Sequence, residues 1–550
     1  MSEGHICIEI AQEDIPTLTS LVDFVTTDPS KTMPFVLDGN RLYLHRYWSY
    51  EMDITKRILA KIQQSPEITQ SRKKALLDLR PMVQALFPTP DWQLMASIQA
   101  ITNNLMIITG GPGTGKTTTV SKILTLLFTL QPSCRVALAA PTGKAAVRME
   151  ESLRRASEQA PAEIKSKFEQ LQPYTLHKLL GTKLGSIHFK HNEHNPLPFD
   201  LIVVDETSMV DIALFAKLLN AIGEHTRLIL LGDRNQLSSV EAGSIFGDLC
   251  LSVPNPNAYS TETKEYMAQF YGPDVALPLL ADPLTNQATD SASQQHPLFG
   301  HMTELQYSHR FNDQQGIGKF SKAVLHGDIA EAETFYALND PNLTLDNTYN
   351  EDKFREIILE GYRAFIQEPD IQLALKKMNQ LKVLCAVRQG KWGIHETNKR
   401  IESILAQAGL LKPKGEFYAN RPIIVTANDY NIKLFNGDIG LIRPASAQDP
   451  TLRCWFEDGE GGIKSVLPAY IPSPETVFAM TIHKSQGSEF DEVLVLLPPD
   501  KTHALLTREL LYTAVTRAKT KAMVQCSAEV LKSTISQKVK RSSGLNQRIK

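Results

Sequence analysis

Residues 105–120 read LMIITGGPGTGKTTTV: an apolar run, a glycine-rich turn and the start of a helical pattern that continues as SKILTLLF. The order is the P-loop pattern, Gly110-x4-Gly115-Lys116-Thr117, in the strand-to-helix setting that the pattern requires. Glycines let a backbone wrap close to phosphate, and free N–H groups at a helix N-terminus face the anion. Gly110, Gly111, Pro112, Gly113, Thr114, Gly115, Lys116, Thr117 and Thr118 would therefore cradle a nucleoside triphosphate. Lys116 would reach the β- and γ-phosphates, and the Thr117 hydroxyl would bind Mg2+.

Outward from this loop, short apolar runs alternate with helical patterns: RVALAA, LIVVD and RLILLGD. Near-continuous Val/Ile/Leu strands suit a parallel sheet covered on both faces, so the fold class is α/β. LIVVD ends on Asp205 and is followed by Glu206, at a strand's carboxyl edge, where open α/β sheets bind ligands. Asp205 would hold Mg2+ through its water shell, and Glu206 would orient and deprotonate the attacking water. After RLILLGD, Gln236 could touch the γ-phosphate and report its loss. Upstream, Gln93 offers one donor and one acceptor, which matches the N6/N7 edge of adenine.

Strand-like runs resume with LKVLCAV, PIIVTAN, DEVLVLL and KAMVQC, which marks a second α/β half. Arg310 and Arg517 lie there. An arginine supplied across a cleft stabilises transition-state charge only when the cleft closes, which would couple hydrolysis to domain motion. Each could equally be a surface residue or a salt-bridge partner. The expected organisation is an N-terminal α+β domain over 1–85 and a first motor domain over 86–250. A Pro/Asn/Ser-rich linker or insertion over 251–304 follows. The second motor domain then runs over 305–550, with a small β (SH3-like) insertion around 393–475. Within 1–85, FVLDGNRLYLHRYW (35–48) reads as strand–turn–strand around Asp38-Gly39. Alternation can bury only about half of its apolar residues on one face. The surplus, Tyr47 and Trp48 included, would pack on the motor's own helices or on a partner.

Net charge is −2, from 58 basic and 60 acidic side chains, which excludes a histone-like coat for nucleic acid but not a local basic groove. The basic end, KSTISQKVKRSSGLNQRIK, reads as a solvated tail. Six cysteines stand singly, as expected of buried thiols in a reducing cytoplasm rather than of a zinc site or a disulfide framework. No apolar run is long enough for a transmembrane helix, and the start lacks a secretory pattern.

The ordered segments GGPGTGKTTTV, APTGKAA, VVDETSM, GDRNQLSSVEAG, LQYSHRF, TIHKSQGSEFDEV and LLYTAVTRAK resemble superfamily 1 DNA helicases. Within these, the chain is most similar to the RecD family, the alpha subunit of exodeoxyribonuclease V (RecBCD). VLCAVRQGKWGIHETNKRIE and LFNGDIG are also similar to RecD segments. The likeness runs from about Trp92 to Arg517.

The resemblance implies two RecA-like motor domains. Lys116, Thr117, Asp205, Glu206, Gln236, Arg310 and Arg517 would form the ATPase site with Mg2+, and Gln93 would lie near adenine. Single-stranded DNA would meet Pro141, Thr142, Gly143 and Lys144, then Thr175 and His177, and then Thr481, His483, Lys484 and Ser485. His177 and His483 could instead make structural hydrogen bonds inside turns. Translocation would be 5′→3′, on DNA entered at duplex ends, in a heterotrimer with RecB-like and RecC-like subunits. That complex would act in double-strand break repair and homologous recombination. Residues 1–85 would dock on the RecC-like subunit. No nuclease motif occurs, and the stretch before Gln93 is too short for the helix-hairpin-helix region of longer RecD-like helicases.

Two other readings compete. One is an autonomous superfamily 1 helicase of the Pif or Upf type, acting on DNA or RNA. The other is a P-loop switch that binds nucleotide without translocating. The TIHKSQG and VTRAK segments disfavour the switch, which needs no second half carrying arginines.

Overall fold

The computed structural model describes residues 4–28, 30–158, 160–183, 185–186, 188–239, 241–271, 296–429, 431–458, 462–500 and 503–549. By contacts the chain divides into two units. One holds Met1–Arg234, Ser238–His309 and Lys540–Lys550; the other holds Asn235–Leu237 and Arg310–Val539.

The first unit opens with a four-stranded sheet. Its strands are β1 (Cys7–Glu9), β2 (Val25–Thr26), β3 (Phe35–Asp38) and β4 (Arg41–Leu44), in the order β1-β4-β3-β2. β3 and β4 form the hairpin expected around Asp38-Gly39, with Gly39 at φ +61° in the two-residue turn. The chain leaves the strand conformation at His45, however, and runs as a helix over His45–Ile62. Ile54 and Ile58 fall on one helical face and are buried in a core that also contains Tyr43, Ile107, Ile202 and Leu214. Tyr47 and Trp48 pack against that same core, so this unit takes up the surplus apolar residues. The N-terminal stretch is thus continuous with the motor core, where a separate domain over 1–85 was expected. Burying Ile54 and Ile58 contributes about 1.5–3 kcal/mol each.

The large sheet of this unit comprises β5 (Leu105–Gly110), β6 (Val136–Ala140), β7 (Pro173–Thr175), β8 (Leu201–Val204), β9 (Arg227–Gly232) and β10 (Met302–Leu305). Its order is β10-β5-β9-β8-β6-β7, and every pair is parallel. β5, β8 and β9 are buried along their whole length, as the unbroken apolar runs require. Of the expected linker over 251–304, residues 272–295 lie outside the described residues. The remainder belongs to this unit: Tyr259, Tyr266, Met267 and Phe270 are core residues, and β10 is the sheet's edge beside β5. Polar composition around these residues hid their aromatic anchors.

The basic end of the chain is likewise no free tail. Ile6 and Cys7 donate their N–H groups to the Ser542 carbonyl. Gly544 N–H and Arg548 Nε donate to the fully buried Glu51, at 3.0 and 2.7 Å. Leu545 and Ile549 are buried.

Among the described residues the second unit has ten strands: β11 (Leu343–Asp346), β12 (Leu381–Cys385), β13 (Pro422–Val425), β14 (Ile439–Pro444), β15 (Leu452–Glu457), β16 (Ile463–Val466), β17 (Pro474–Thr476), β18 (Ala479–Thr481), β19 (Phe490–Leu496) and β20 (Ala518–Gln525). Five make a second all-parallel sheet, β11-β20-β19-β12-β18. The other five make an antiparallel sheet, β16-β15-β14-β13-β17. The inserted β module therefore spans 422–476 rather than 393–475, because Ile394–Gln407 is a helix with buried Ile394, Ile401 and Leu405. Two RecA-like parallel sheets, an N-terminal α+β part and a small β insertion make up the fold.

Candidate active site

β5 delivers the chain to the loop at Gly110, and the helix Lys116–Leu130 carries it away. Gly113 and Gly115 have φ of +77° and +84°, a region that side chains rarely adopt. A Cβ on Gly115 would also run into the Gln93 amide. The Lys116 ammonium donates to the carbonyls of Gly110 at 2.6 Å and Gly111 at 3.1 Å, which holds it across the loop. Thr117, the next residue, is half-buried. Gln93 is buried behind the loop, where its carbonyl accepts from Lys122 Nζ at 3.1 Å.

β8 is separated from β5 by β9 alone, so Asp205 and Glu206 emerge at the same carboxyl edge as the loop. Glu206 has φ +50°, a left-handed conformation for a non-glycine residue, and its N–H donates to Asp205 Oδ1 at 2.8 Å. Strain of this kind persists only where the surroundings hold it, and it gathers at functional sites. Desolvation, and then the charge of Glu206, push the Asp205 carboxyl up to about 6, against the pull of Lys116. A carboxylate so placed is stabilised by a cation, which is the chemistry of a Mg2+ ligand. The donor set therefore fits the metal.

Gln236 is buried, and it falls in the second unit. There Leu237 N–H donates to Thr513 Oγ1 at 3.0 Å, and Gln486 Nε2 donates to the Leu237 carbonyl at 2.6 Å. Arg310 pairs with Glu489 at 2.8 Å. Arg517 is buried and donates to the carbonyls of Thr513 at 3.2 Å and Ser488 at 3.3 Å. The two arginines thus converge on consecutive residues, Ser488 and Glu489.

Among the expected DNA contacts, β6 and β7 run parallel with Ala140 opposite Thr175. Pro141, Thr142, Gly143 and Lys144 therefore leave the sheet beside Thr175 and His177. Thr142 and Thr175 cap the helices that follow, accepting from Ala145 N–H and Lys178 N–H. His177 is exposed, edge-on to Phe189. In the second unit Thr481 accepts from Lys484 N–H, and Ser485 is buried with its hydroxyl on the Ile482 carbonyl. Those two side chains are committed to the turn. His483 and Lys484 are the half-exposed members.

The AAA domain model matches residues 93–242, and the UvrD-like helicase C-terminal domain model matches 476–524. The RecBCD enzyme subunit RecD of Haemophilus influenzae is 34% identical, over 94% of this chain and 82% of its own. That of Mycobacterium tuberculosis is also 34% identical, over 99% of this chain and 88% of its own. The chain belongs to the RecD family. The ATP-dependent RecD2 DNA helicase of Deinococcus radiodurans is 28% identical over 82% of this chain, which spans 54% of that protein.

Several residues of this RecD-family chain escaped sequence reasoning. Ser308 Oγ donates to the Pro112 carbonyl at 3.1 Å, and His309 N–H donates to the Gly113 carbonyl at 2.8 Å. The segment LQYSHRF therefore braces the P-loop as well as carrying Arg310. Lys122, Gln486, Glu489 and Thr513 were also unread. The last three lie inside quoted motifs, but their partners are far away in sequence.

Proposed function

We propose that this chain is an ATP-driven motor on single-stranded DNA, the RecD-type subunit of a RecBCD-like helicase–nuclease that acts at duplex ends in double-strand break repair and recombination. The observation that carries the reading is the second all-parallel sheet, where Arg310 and Arg517 converge beside the TIHKS turn. A nucleotide switch has no use for it.

In this reading Glu206 accepts a proton from water as its oxygen attacks the γ-phosphorus. The bond to the β–γ bridging oxygen breaks, and ADP and phosphate result. Thr117 and Asp205 would hold Mg2+, which would supply neutralisation of the phosphate charge. Lys116, Arg310 and Arg517 stabilise the charge that spreads onto the γ-phosphoryl oxygens. Gln236 registers the γ-phosphate, with the backbone of the next residue, Leu237, gripped by Gln486 and Thr513. Gln93 lies on the adenine side. Thr142, Lys144, His177, His483 and Lys484 hold DNA phosphates without reading sequence, and polarity is 5′→3′.

RecB-like and RecC-like chains are the assigned partners. Among the N-terminal residues Leu21, Val22 and Phe24 stay exposed, at 46%, 68% and 57%, and we assign the RecC-like contact to them rather than to Tyr47 and Trp48. The six free cysteines fit a reducing cytoplasm, and among the described residues no helix is long and apolar enough to cross a membrane.

ATPase activity tests the reading. Oligo-dT should stimulate it strongly, and poly-U much less. Turnover indifferent to either polymer would sustain the switch instead, and preference for poly-U would sustain an RNA helicase.

A further inference from the structure

In the second unit, the carboxyl edge of the parallel sheet carries a group of side chains that nucleotide chemistry leaves unused. β12 runs parallel to β18 with Cys385 opposite Thr481, so loops 386–393 and 482–486 leave the sheet at one edge. Arg388 in the first loop and Lys484 in the second both reach Glu475 of β17, each at 3.2 Å. The Arg388 side chain remains 51% exposed. Partial burial works to raise the Glu475 carboxyl, yet Lys484 and then Arg388 hold it below the usual carboxylate range.

Next along the loop, Gln389, Gly390 and Lys391 are exposed, and Trp392 is half-buried. The indole centroid lies 4.8 Å from the Tyr349 ring, tilted by 57°, and the Lys391 ammonium lies 5.5 Å from the indole. Tyr349 donates its hydroxyl to the carbonyl of Leu497, just past the end of β19, at 3.0 Å. The aromatic pair is therefore pinned at the same sheet edge. Tyr349 also has φ +48°, a conformation that a tyrosine keeps only where its surroundings impose it.

Two cations that meet on one carboxylate bracket a position for an anion, and a phosphate oxygen can compete for it. An indole in the same loop offers a face to a base. Backbone-tracking cations beside stacking rings are what sequence-tolerant binding of single strands requires. We infer that loop 388–392 is a contact for single-stranded DNA beside Lys484. In it Arg388 takes a phosphate, Trp392 stacks on a base, and Glu475 is the resident anion with which the phosphate competes. This rests on the reading of the chain as a single-stranded-DNA motor.

The test is fluorescence anisotropy of labelled oligo-dT with the full chain across a salt series. Tryptophan emission and the thermal midpoint are recorded alongside. R388A should weaken binding and flatten the log–log salt slope by about 0.7, the share of one phosphate on a single strand. E475Q should act in the opposite direction, with tighter binding and a steeper slope. W392A should bind about 5- to 100-fold more weakly. W392F, which keeps an aromatic ring in the packing, should lose the quenching of tryptophan emission by oligo-dT. If the unsubstituted chain binds oligo-dT and these folded variants match its affinity, slope and quenching, the contact does not exist. If the unsubstituted chain binds no oligo-dT at any salt, the motor reading falls and takes the contact with it.

Discussion

Lys116 is held by two carbonyls of its own loop, and in the proposed function its ammonium meets the charge that develops on the γ-phosphate. Lys116→Gln loses the charge and shortens the side chain by one atom. Turnover should fall about 10²–10³-fold with an unchanged thermal midpoint, as read by DNA-stimulated ATPase. Arg310→Ala should cost about 10³-fold in turnover and much less in nucleotide affinity, because an arginine finger acts in the transition state. A loss confined to affinity would make Arg310 a ground-state ligand. Arg517 is buried on two carbonyls, so its alanine variant would confound folding with catalysis; Arg517→Lys is the cleaner probe.

Asp248 bears on stability rather than catalysis. Burial pushes its carboxyl up to about 7; Ser543 and Arg541 work against that, and Glu51 adds to it. Below about pH 3 this acid is protonated in the folded and unfolded chains alike. As pH rises towards about 7 the unfolded chain ionises first, so stability is progressively lost, by a ceiling of about 4 kcal/mol. Asp248→Asn should therefore raise the thermal midpoint near pH 8 and leave it unchanged at about pH 3. A gain at low pH alone would contradict the sign.

Among the elements, the strap at 541–549 shows why some of the fold was illegible. Glu51 is buried, and its carboxylate is satisfied by Tyr43, Gly544 and Arg548. A basic stretch at one end of the sequence gives no sign of a carboxylate near the other end. The same holds for Gln486 and Thr513 on Leu237, two residues within quoted motifs whose shared partner lies elsewhere in the chain. By contrast β5, the P-loop and its helix were readable because strand, turn and helix are contiguous and each declares its own chemistry. The strand ends at Leu44, short of the stretch 35–48 that reads as strand: Tyr47 and Trp48 are good strand formers, but packing of Ile54 and Ile58 one turn apart favours the helix. Breaking the buried pair with Glu51→Ala should cost about 3–5 kcal/mol, seen in urea unfolding as a lower midpoint. An unchanged midpoint would mean that the strap is dispensable.

For the whole molecule, the two parallel sheets carry different halves of the proposed chemistry. The first holds Lys116, Asp205 and Glu206; the second holds Arg310, Arg517 and the turn at His483–Ser485. Hydrolysis that needs both can be converted into movement, whereas the first alone would suffice for a switch. Because the N-terminal helix shares the motor core, removing residues 1–85 should unfold the first unit rather than yield a trimmed ATPase. Partner docking is better probed by Phe24→Asp at the exposed face, with co-elution alongside RecB-like and RecC-like chains as the readout. The most direct test of a motor is displacement of streptavidin from biotinylated single strands. The account predicts ATP-dependent displacement from a 3′-terminal biotin, little from a 5′-terminal one, and none with Lys116→Gln. Displacement from neither end, by a chain that hydrolyses ATP on oligo-dT, would contradict it.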